Sequence, residues 1–421
     1  MRILIVGGGG REHALAWKLA QSPLLTKLYC APGNPGIARH AECVQIGVQD
    51  SMGILAFVRE KRIDLTVIGP EDPLAMGLAD ELTSKGFKVF GPSQAAAELE
   101  SSKVFCKKLL HKHDIPTAAF KVFDDLHGAH DYLDKVGAPA VVKADGLAKG
   151  KGVIVCATLE QAHNAVNEIM QARIFGKSGD RIIIEECLRG EEVSLLALTD
   201  GKTLQLLEPA QDHKRALDGD EGPNTGGMGA YSPVAAITPA LREEVERRVF
   251  VPTIHAMRRE GRRYQGVLYA GLMLTANGPQ VLEYNVRWGD PETQPLMMRL
   301  KSDLVPLFMS VAEGKLNDAP IEWDPRPSIC VVMASGGYPG EYQTGKPIEG
   351  LEKAATLKDV MVFHAGTAMS QGRVVTAGGR VLGVTALGDT IAGARARAYE
   401  AVSMIHFDGA HYRRDIGHLA L

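Results

Sequence analysis

Two stretches of this sequence carry residue types suited to a phosphorylated ligand. One runs Lys143-Ala-Asp-Gly-Leu-Ala-Lys-Gly-Lys-Gly152, the other Glu283-Tyr-Asn-Val-Arg-Trp-Gly-Asp-Pro-Glu292. In the first, Gly146, Gly150 and Gly152 let the backbone fold its amides over a polyphosphate, and a strand lysine supplies a fixed positive charge. Lys143 precedes the turn on an apolar run and is the better fixed ligand. Lys149 and Lys151 are either mobile phosphate contacts or solvent-facing charges. In the second, Glu283 and Asn285 stand two apart on an expected strand, so both face one site. Their oxygens suit Mg2+, which takes hard ligands and enters with phosphate and water. Arg287 joins that face if the strand extends so far, where its guanidinium neutralises charge on a transferring phosphate or an acyl phosphate. Asp290 and Glu292 follow a turn at Gly289 and Pro291, which leaves their direction open.

A third cluster, Gly7-Gly-Gly-Gly-Arg-Glu-His13, stands between an apolar run and a helical pattern. It is no dinucleotide fingerprint, because either register puts Glu12 or His13 where the third glycine belongs. It reads as a tight strand-to-helix turn or as a cradle in which helix-start amides and Arg11 hold an anion. Gly69-Pro-Glu-Asp72 closes a second strand and can add a polar contact to the same ligand.

The elements that must position these residues follow from periodicity. Residues 2–6, 65–68 and 88–90 read as buried strands and 11–20 as a helix, which predicts a mostly parallel α/β domain over 1–102. Ligands of such sheets gather beyond the carboxyl ends of the strands, where the glycine and proline turns fall. From Lys103 the pattern turns helical. Residues 140–143 and 152–156 form two strand-like runs around the glycine turn, a hairpin shape unlike the strand-loop-helix of a P-loop. Helices are expected over 159–170 and 239–259, and strands over 181–186, 267–274 and 280–285. The polar, glycine-rich stretch 209–229 has little apolar content, so its length points to function or local mobility. Strands over 329–334, 359–363 and 380–386 suggest a small terminal domain. The predicted architecture is multidomain α/β and α+β, divided 1–102, 103–190, 191–325 and 326–421.

With 421 residues the chain exceeds one ordinary core. Hydrophobic content of 45% and charged content of 23% are those of a folded soluble protein. A net charge of -3 gives no reason to expect nucleic acid or membrane as partner. The apolar opening Ile3-Leu-Ile-Val6 is too short for a span and no cleavage pattern follows it, so the cytoplasm is the expected address. Six scattered cysteines, most in apolar surroundings, fit a reducing compartment.

Taken in order, the motifs strongly resemble the phosphoribosylamine–glycine ligase family across essentially the whole chain. Besides the three clusters, the resemblance rests on Glu185-Glu186 with Gly190-Glu-Glu-Val-Ser194, on Gln211-Asp-His-Lys-Arg215, on Asn224-Thr-Gly-Gly-Met-Gly229, on Gly337-Tyr-Pro-Gly340 and on His364-Ala-Gly-Thr367. It implies an amino-terminal substrate domain, an ATP-grasp core of small and central lobes, and a carboxy-terminal domain. It also implies ATP, glycine and 5-phosphoribosylamine as substrates, Mg2+ or Mn2+ as metal at Glu283 and Asn285, a glycyl phosphate intermediate, and a place in de novo purine synthesis. A monomer is expected.

By resemblance, Lys103 and Lys143 contact the phosphates, together with Gly146, Lys149, Gly150, Lys151 and Gly152. Glu185, Glu186, Cys187 and Leu188 contact adenine through the backbone, and Glu192 approaches the ribose. Substrate contacts fall to Gly9, Gly10, Arg11, Glu12, Gly33, Asn34, Pro70 and Glu71, then to Asp212, His213, Lys214, Asn224, Gly226 and Arg287. Asp212 holds the glycine amino group and Arg287 stabilises the acyl phosphate. The loop 224–229 either closes over substrate or is a static turn. Trp288 and Cys187 stand where the family more often has aromatics, phenylalanine at the first, and so bear on pocket fit. Rival readings are another carboxylate–amine ligase, a biotin-dependent carboxylase built on the same lobes, and a non-catalytic nucleotide sensor.

Overall fold

The structure is a computed structural model that describes residues 1–147, 152–317 and 320–421. Lys149, Gly150 and Lys151 lie outside the described residues.

Arg2–Gly7 and Leu65–Ile68 are buried through their centres, apolar there apart from Thr66, and pair in parallel at the middle of a five-stranded sheet. Its order is Glu42–Cys43, Lys27–Pro32, Arg2–Gly7, Leu65–Ile68, Val89–Phe90, every pair parallel. The chain therefore builds outward in one direction and then in the other, with the switch between Arg2–Gly7 and Leu65–Ile68. Ligand crevices open at such switch points, and here the glycines of 7–10 and the 69–72 turn leave the sheet side by side.

A second layer is a four-stranded antiparallel sheet ordered Phe120–Phe123, Ile182–Glu186, Ala140–Ala144, Val153–Cys156. Val142, Ile182 and Ile184 pack with Ala129, Leu133 and Ala162 of the covering helices into a core of their own. Because this core shares no side chain with the others, the lobe's placement depends on polar contacts and on the chain that enters it. Lys103–Lys112 is that entry, capped by Ser102, whose side chain accepts from the Phe105 N–H.

The central sheet, ordered Leu204–Leu206, Glu191–Thr199, Gly266–Thr275, Gly278–Asn285, is antiparallel throughout. The expected strand 280–285 ends at Asn285, so Arg287 lies past the ladder. A register shift between Gly271 and Leu272 re-aims the partner residues opposite Glu283.

The stretch 209–229 departs from the expectation of a structureless loop. It contains Gln211–Asp212, a hairpin of Arg215–Leu217 with Glu221–Asn224, and the start of Gly229–Ser232. Its polar, glycine-rich composition hid these strands because the hairpin is exposed on most of its surface and buries only Ala216. The terminal strands Ser328–Ala334, Arg380–Leu387 and Val360–His364 do form, but in one sheet with Gly229–Ser232 and Gln211–Asp212. Central and terminal parts of the chain thus share a sheet that periodicity alone assigned to a separate unit. Among the described residues no helix is long and apolar enough to cross a membrane.

Candidate active site

The three layers enclose a cavity of about 1080 Å³. Its lining includes Arg11 and Glu71 from the parallel sheet, and Lys103, Lys143, Gly146, Gly152, Glu185, Glu186, Cys187 and Leu188 from the small lobe. The central sheet and its neighbours add Glu192, Asp212, His213, Lys214, Asn224, Gly226, Glu283, Asn285 and Arg287. Residues almost 280 positions apart therefore face one space.

On one wall, the Lys143 ammonium is 2.9 Å from a Glu185 carboxylate oxygen and donates to the Leu282 carbonyl at 3.1 Å. Lys107 reaches the same oxygen at 3.1 Å and also donates to Thr117 Oγ1 at 2.6 Å. Lys103 donates to the Gly146 carbonyl at 2.7 Å, which ties the entry helix to the glycine turn. Burial pulls the Lys103 and Lys107 ammonium groups below their ordinary range. Glu185 therefore spends its side chain on the lysines, while the strand ends at Glu186 and leaves the backbone of Cys187 and Leu188 beyond the ladder. That arrangement suits a flat heterocycle read by backbone groups.

On the far wall, Arg287 donates from Nε to Glu71 at 3.1 Å and pairs through Nη2 with Glu100 at 2.9 Å. Burial pushes the Glu100 carboxyl up to about 7, beyond what Arg287 offsets. Burial acts on Glu71 in the same sense, but Arg287 and Arg11 outweigh it and hold that carboxyl at about 2. Glu100 also accepts from the Val286 N–H at 2.7 Å, so it fixes backbone and side chain next to Arg287.

Between the walls stands an acidic group. Tyr269 donates to Glu292 at 2.9 Å, and Lys214 pairs with Glu192 and lies 3.8 Å from Glu283. Burial, with Glu292, Glu192 and Glu283 nearby, pushes Asp212 up to about 8, since Lys214 compensates only in part. Burial opposes ionisation of Glu283 too, but Lys214, Lys143, Lys103 and Arg287 together hold it below the usual carboxylate range. Asn285 sits two residues on, half-buried, and its side chain makes no hydrogen bond among the described residues. An ionised carboxylate beside an amide oxygen with free lone pairs, both on the cavity wall, fits a hard divalent cation. A second grouping, His213, Asp220 and His418, has ligand atoms close together. It does not fit a metal: His213 Nε2 accepts the Gly417 N–H at 2.9 Å, and Arg413 occupies Asp220 at 2.7 Å.

Several expected substrate residues stand behind the cavity instead of on it. Gly9, Gly10, Glu12, Gly33, Asn34 and Pro70 are not part of its lining. Glu12 accepts from the Gly9 N–H and pairs with Arg11, each at 2.7 Å, which aims the Arg11 side chain. Asn34 donates to the Gly8 and His364 carbonyls and accepts from Gly36 and Ile37, all at 2.9 Å, so its amide is spent bracing two loops. At Gly33, with φ near +75°, a Cβ would collide with the Cys43 sulfur. Trp288 lies in the core against Phe308, not on the cavity, so its departure from phenylalanine leaves the pocket wall unchanged. The loop 224–229 is braced from both sides: Thr225 donates to the Lys214 carbonyl, Gly226 donates to Tyr338 Oη at 3.0 Å, and Arg380 holds the Gly226 carbonyl.

Sequence reading missed Glu100, Lys107 and Arg380. Lys107 stands one helical turn beyond Lys103, so the spacing held the signal. Glu100 and Arg380 left none, because Arg380 reaches Asp290 at 3.3 Å from a strand 90 residues away.

Comparison with known proteins agrees with this layout. Residues 1–100 match the phosphoribosylglycinamide synthetase N domain, 101–293 its ATP-grasp (A) domain, and 328–419 its C domain. A phosphoribosylamine–glycine ligase of Rhodopirellula baltica is 53% identical over 426 residues, covering 100% of this chain and 98% of that protein. The crystal structure of the corresponding Thermotoga maritima ligase superposes with a TM-score of 0.88 at 34% identity, covering 99% of this chain and 100% of that one. A biotin carboxylase of Campylobacter jejuni shares the fold, with a TM-score of 0.76 at 15% identity over 98% of this chain and 92% of that one.

Proposed function

We propose how this chain, which belongs to the phosphoribosylamine–glycine ligase family, uses its cavity to join glycine to 5-phosphoribosylamine at the expense of ATP. The product of that ligation is glycinamide ribonucleotide. One observation carries the reading: three lysines, two hard oxygen donors and a doubly held arginine converge on a single cavity.

ATP lies with adenine against the backbone of Glu186, Cys187 and Leu188. Its phosphates lie between Lys103, Lys143 and the glycine turn. Glu192 meets the ribose. Glu283 and Asn285 would hold a divalent ion, Mg2+ or Mn2+, which supplies charge neutralisation at the distal phosphates. Asp212, with Glu192, Glu283 and Glu292 around it, is a site short of positive charge, and the glycine ammonium provides it. The glycine carboxylate then points toward the phosphates. Its oxygen bonds to the terminal phosphorus as the bond to the ADP oxygen breaks, giving glycyl phosphate. The amine of phosphoribosylamine next attacks the acyl carbon; the bond to phosphate breaks and nitrogen loses a proton. A free carboxylate is a poor acyl donor, and this activation makes phosphate the leaving group.

Arg287 and Arg11 face the transferring charge from the parallel-sheet side. Because Glu71 and Glu100 already orient the guanidinium of Arg287, little reorganisation is needed when charge develops. Six free thiols suit a reducing cytoplasm. Purified protein with ATP, Mg2+, glycine and freshly generated phosphoribosylamine should form glycinamide ribonucleotide, ADP and phosphate in equal amounts. Folded protein that binds ATP but forms no product with active substrates would overturn the reading in favour of a nucleotide sensor.

A further inference from the structure

The hairpin that follows Asp212 and Lys214 is held almost entirely by the end of the chain. Its tip, 217–223, is exposed, and both Gly219 and Asp220 have φ in the left-handed region, near +70° and +56°. Such a turn has little apolar area to keep it in place and frays easily unless polar contacts hold it. Those contacts come from 411–418. His411 Nε2 and the Ala216 carbonyl are 2.9 Å apart, the Arg414 N–H donates to Asp218 at 2.7 Å, and Asp415 accepts from the Gly219 N–H at 2.8 Å. Arg413 donates to Asp220 at 2.7 Å and to the Arg215 carbonyl at 3.2 Å, while its other nitrogens pair with Asp415, each at 2.7 Å. The Arg413 side chain is buried under the hairpin, while its partner Asp220 stays partly exposed.

The last link runs directly to the residues beside Asp212. The Gly417 N–H donates to Nε2 of His213, which requires the ring proton on Nδ1, facing Asp220 at 3.9 Å. Burial, reinforced by Arg413, pulls His213 down to about 4, so the ring is neutral and fit to accept. Leu419, two residues beyond Gly417, reaches the cavity wall.

We infer that the carboxy-terminal segment 411–418, through Arg413 as positioning residue, sets the hairpin so that Asp212 and Lys214 face the cavity, and thereby governs capture of the amino-acid substrate. This rests on the reading of Asp212 as the glycine-ammonium site. The segment makes no direct bond to the ATP wall and reaches it only through Lys214, which pairs with Glu192, so nucleotide binding should fall far less than glycine binding.

The test compares Arg413→Met, Arg413→Lys and Asp415→Asn in the full chain, with Asp212→Asn alongside. Hydrogen exchange of the 215–222 amides, glycine KM, ADP affinity and Tm are measured. Arg413→Met should speed exchange in the hairpin by about tenfold or more. It should raise glycine KM about tenfold, leaving ADP affinity within about twofold. Arg413→Lys should recover part of both. Faster exchange with unchanged glycine KM would overturn the inference, as would a parallel loss of glycine and ADP binding. Should Arg413→Met not fold, Asp415→Asn decides by the same readings, since it keeps the arginine and removes only the charge that joins it to Gly219. If Asp212→Asn leaves glycine KM unmoved, the reading of Asp212 fails, whatever the hairpin exchange shows.

Discussion

One wall of the cavity sets Lys107 and Lys143 on the single carboxylate of Glu185 and adds Lys103, held by the Gly146 carbonyl, while the opposite wall sets one arginine between Glu71 and Glu100. The first has cations to spare and is ready for a polyanion before any ligand arrives. The second has its cation already neutralised, so it adds little to binding and much to orientation. Charge that appears only during transfer meets a guanidinium already fixed in place, which favours the transition state over the ground state. In the proposed mechanism, binding and catalysis thus fall to different walls by the ratio of acids to bases.

Breaking the second wall gives the largest expected effect. Arg287→Ala should lower kcat about 10³-fold while ADP affinity falls no more than a few-fold. Equal loss of both in rapid-quench and titration calorimetry experiments would mean that both walls bind nucleotide. Next comes the edge between them. Glu283→Gln should reduce turnover about 10²-fold at fixed Mg2+ and recover part of it as Mg2+ is raised, because one hard donor remains at Asn285. Turnover insensitive to added Mg2+ would place the metal elsewhere.

The first wall should fail through stability instead. Glu185→Gln leaves Lys107 and Lys143 buried without their shared anion and should cost about 3 kcal/mol in urea unfolding. A cost near zero would mean that the lysines are hydrated. The smallest effect concerns Glu100, pushed from the ordinary carboxylate value of 4.5 up to about 7. The folded state then holds a proton that the unfolded chain releases, so this group's contribution is full below about 4.5 and is lost as pH rises to about 7. The loss is on the order of 3 kcal/mol at most, spread over the whole window. Glu100→Gln should flatten the decline of Tm with pH over that window; an unchanged slope would assign it to other groups.

Legibility in the sequence followed burial. Leu65–Ile68 lies where the mostly apolar run puts it, since a strand buried on both faces is mostly apolar, here with Thr66 as its one polar residue. The hairpin in 209–229 left no periodic signal because its strands pair with each other mainly through the backbone and bury only Ala216, and backbone bonding has no side-chain code. Resemblance places Asn34 among the substrate contacts and the structure shows its amide bracing two loops, and an amide serves either purpose equally well. Lys107 was within reach from helical spacing, whereas Glu100 and Arg380 were not.

By itself, the sequence determined which residue types are present at each strand end: glycines where backbone must approach phosphate, lysines and hard oxygen donors where charge must be met. Order along the chain, read against a known family, determined the reaction. Only the tertiary structure decided which charges neutralise one another. Ion pairs such as Arg287 with Glu71 join residues 216 positions apart, and their strength depends on separation and burial, neither of which a linear chain records.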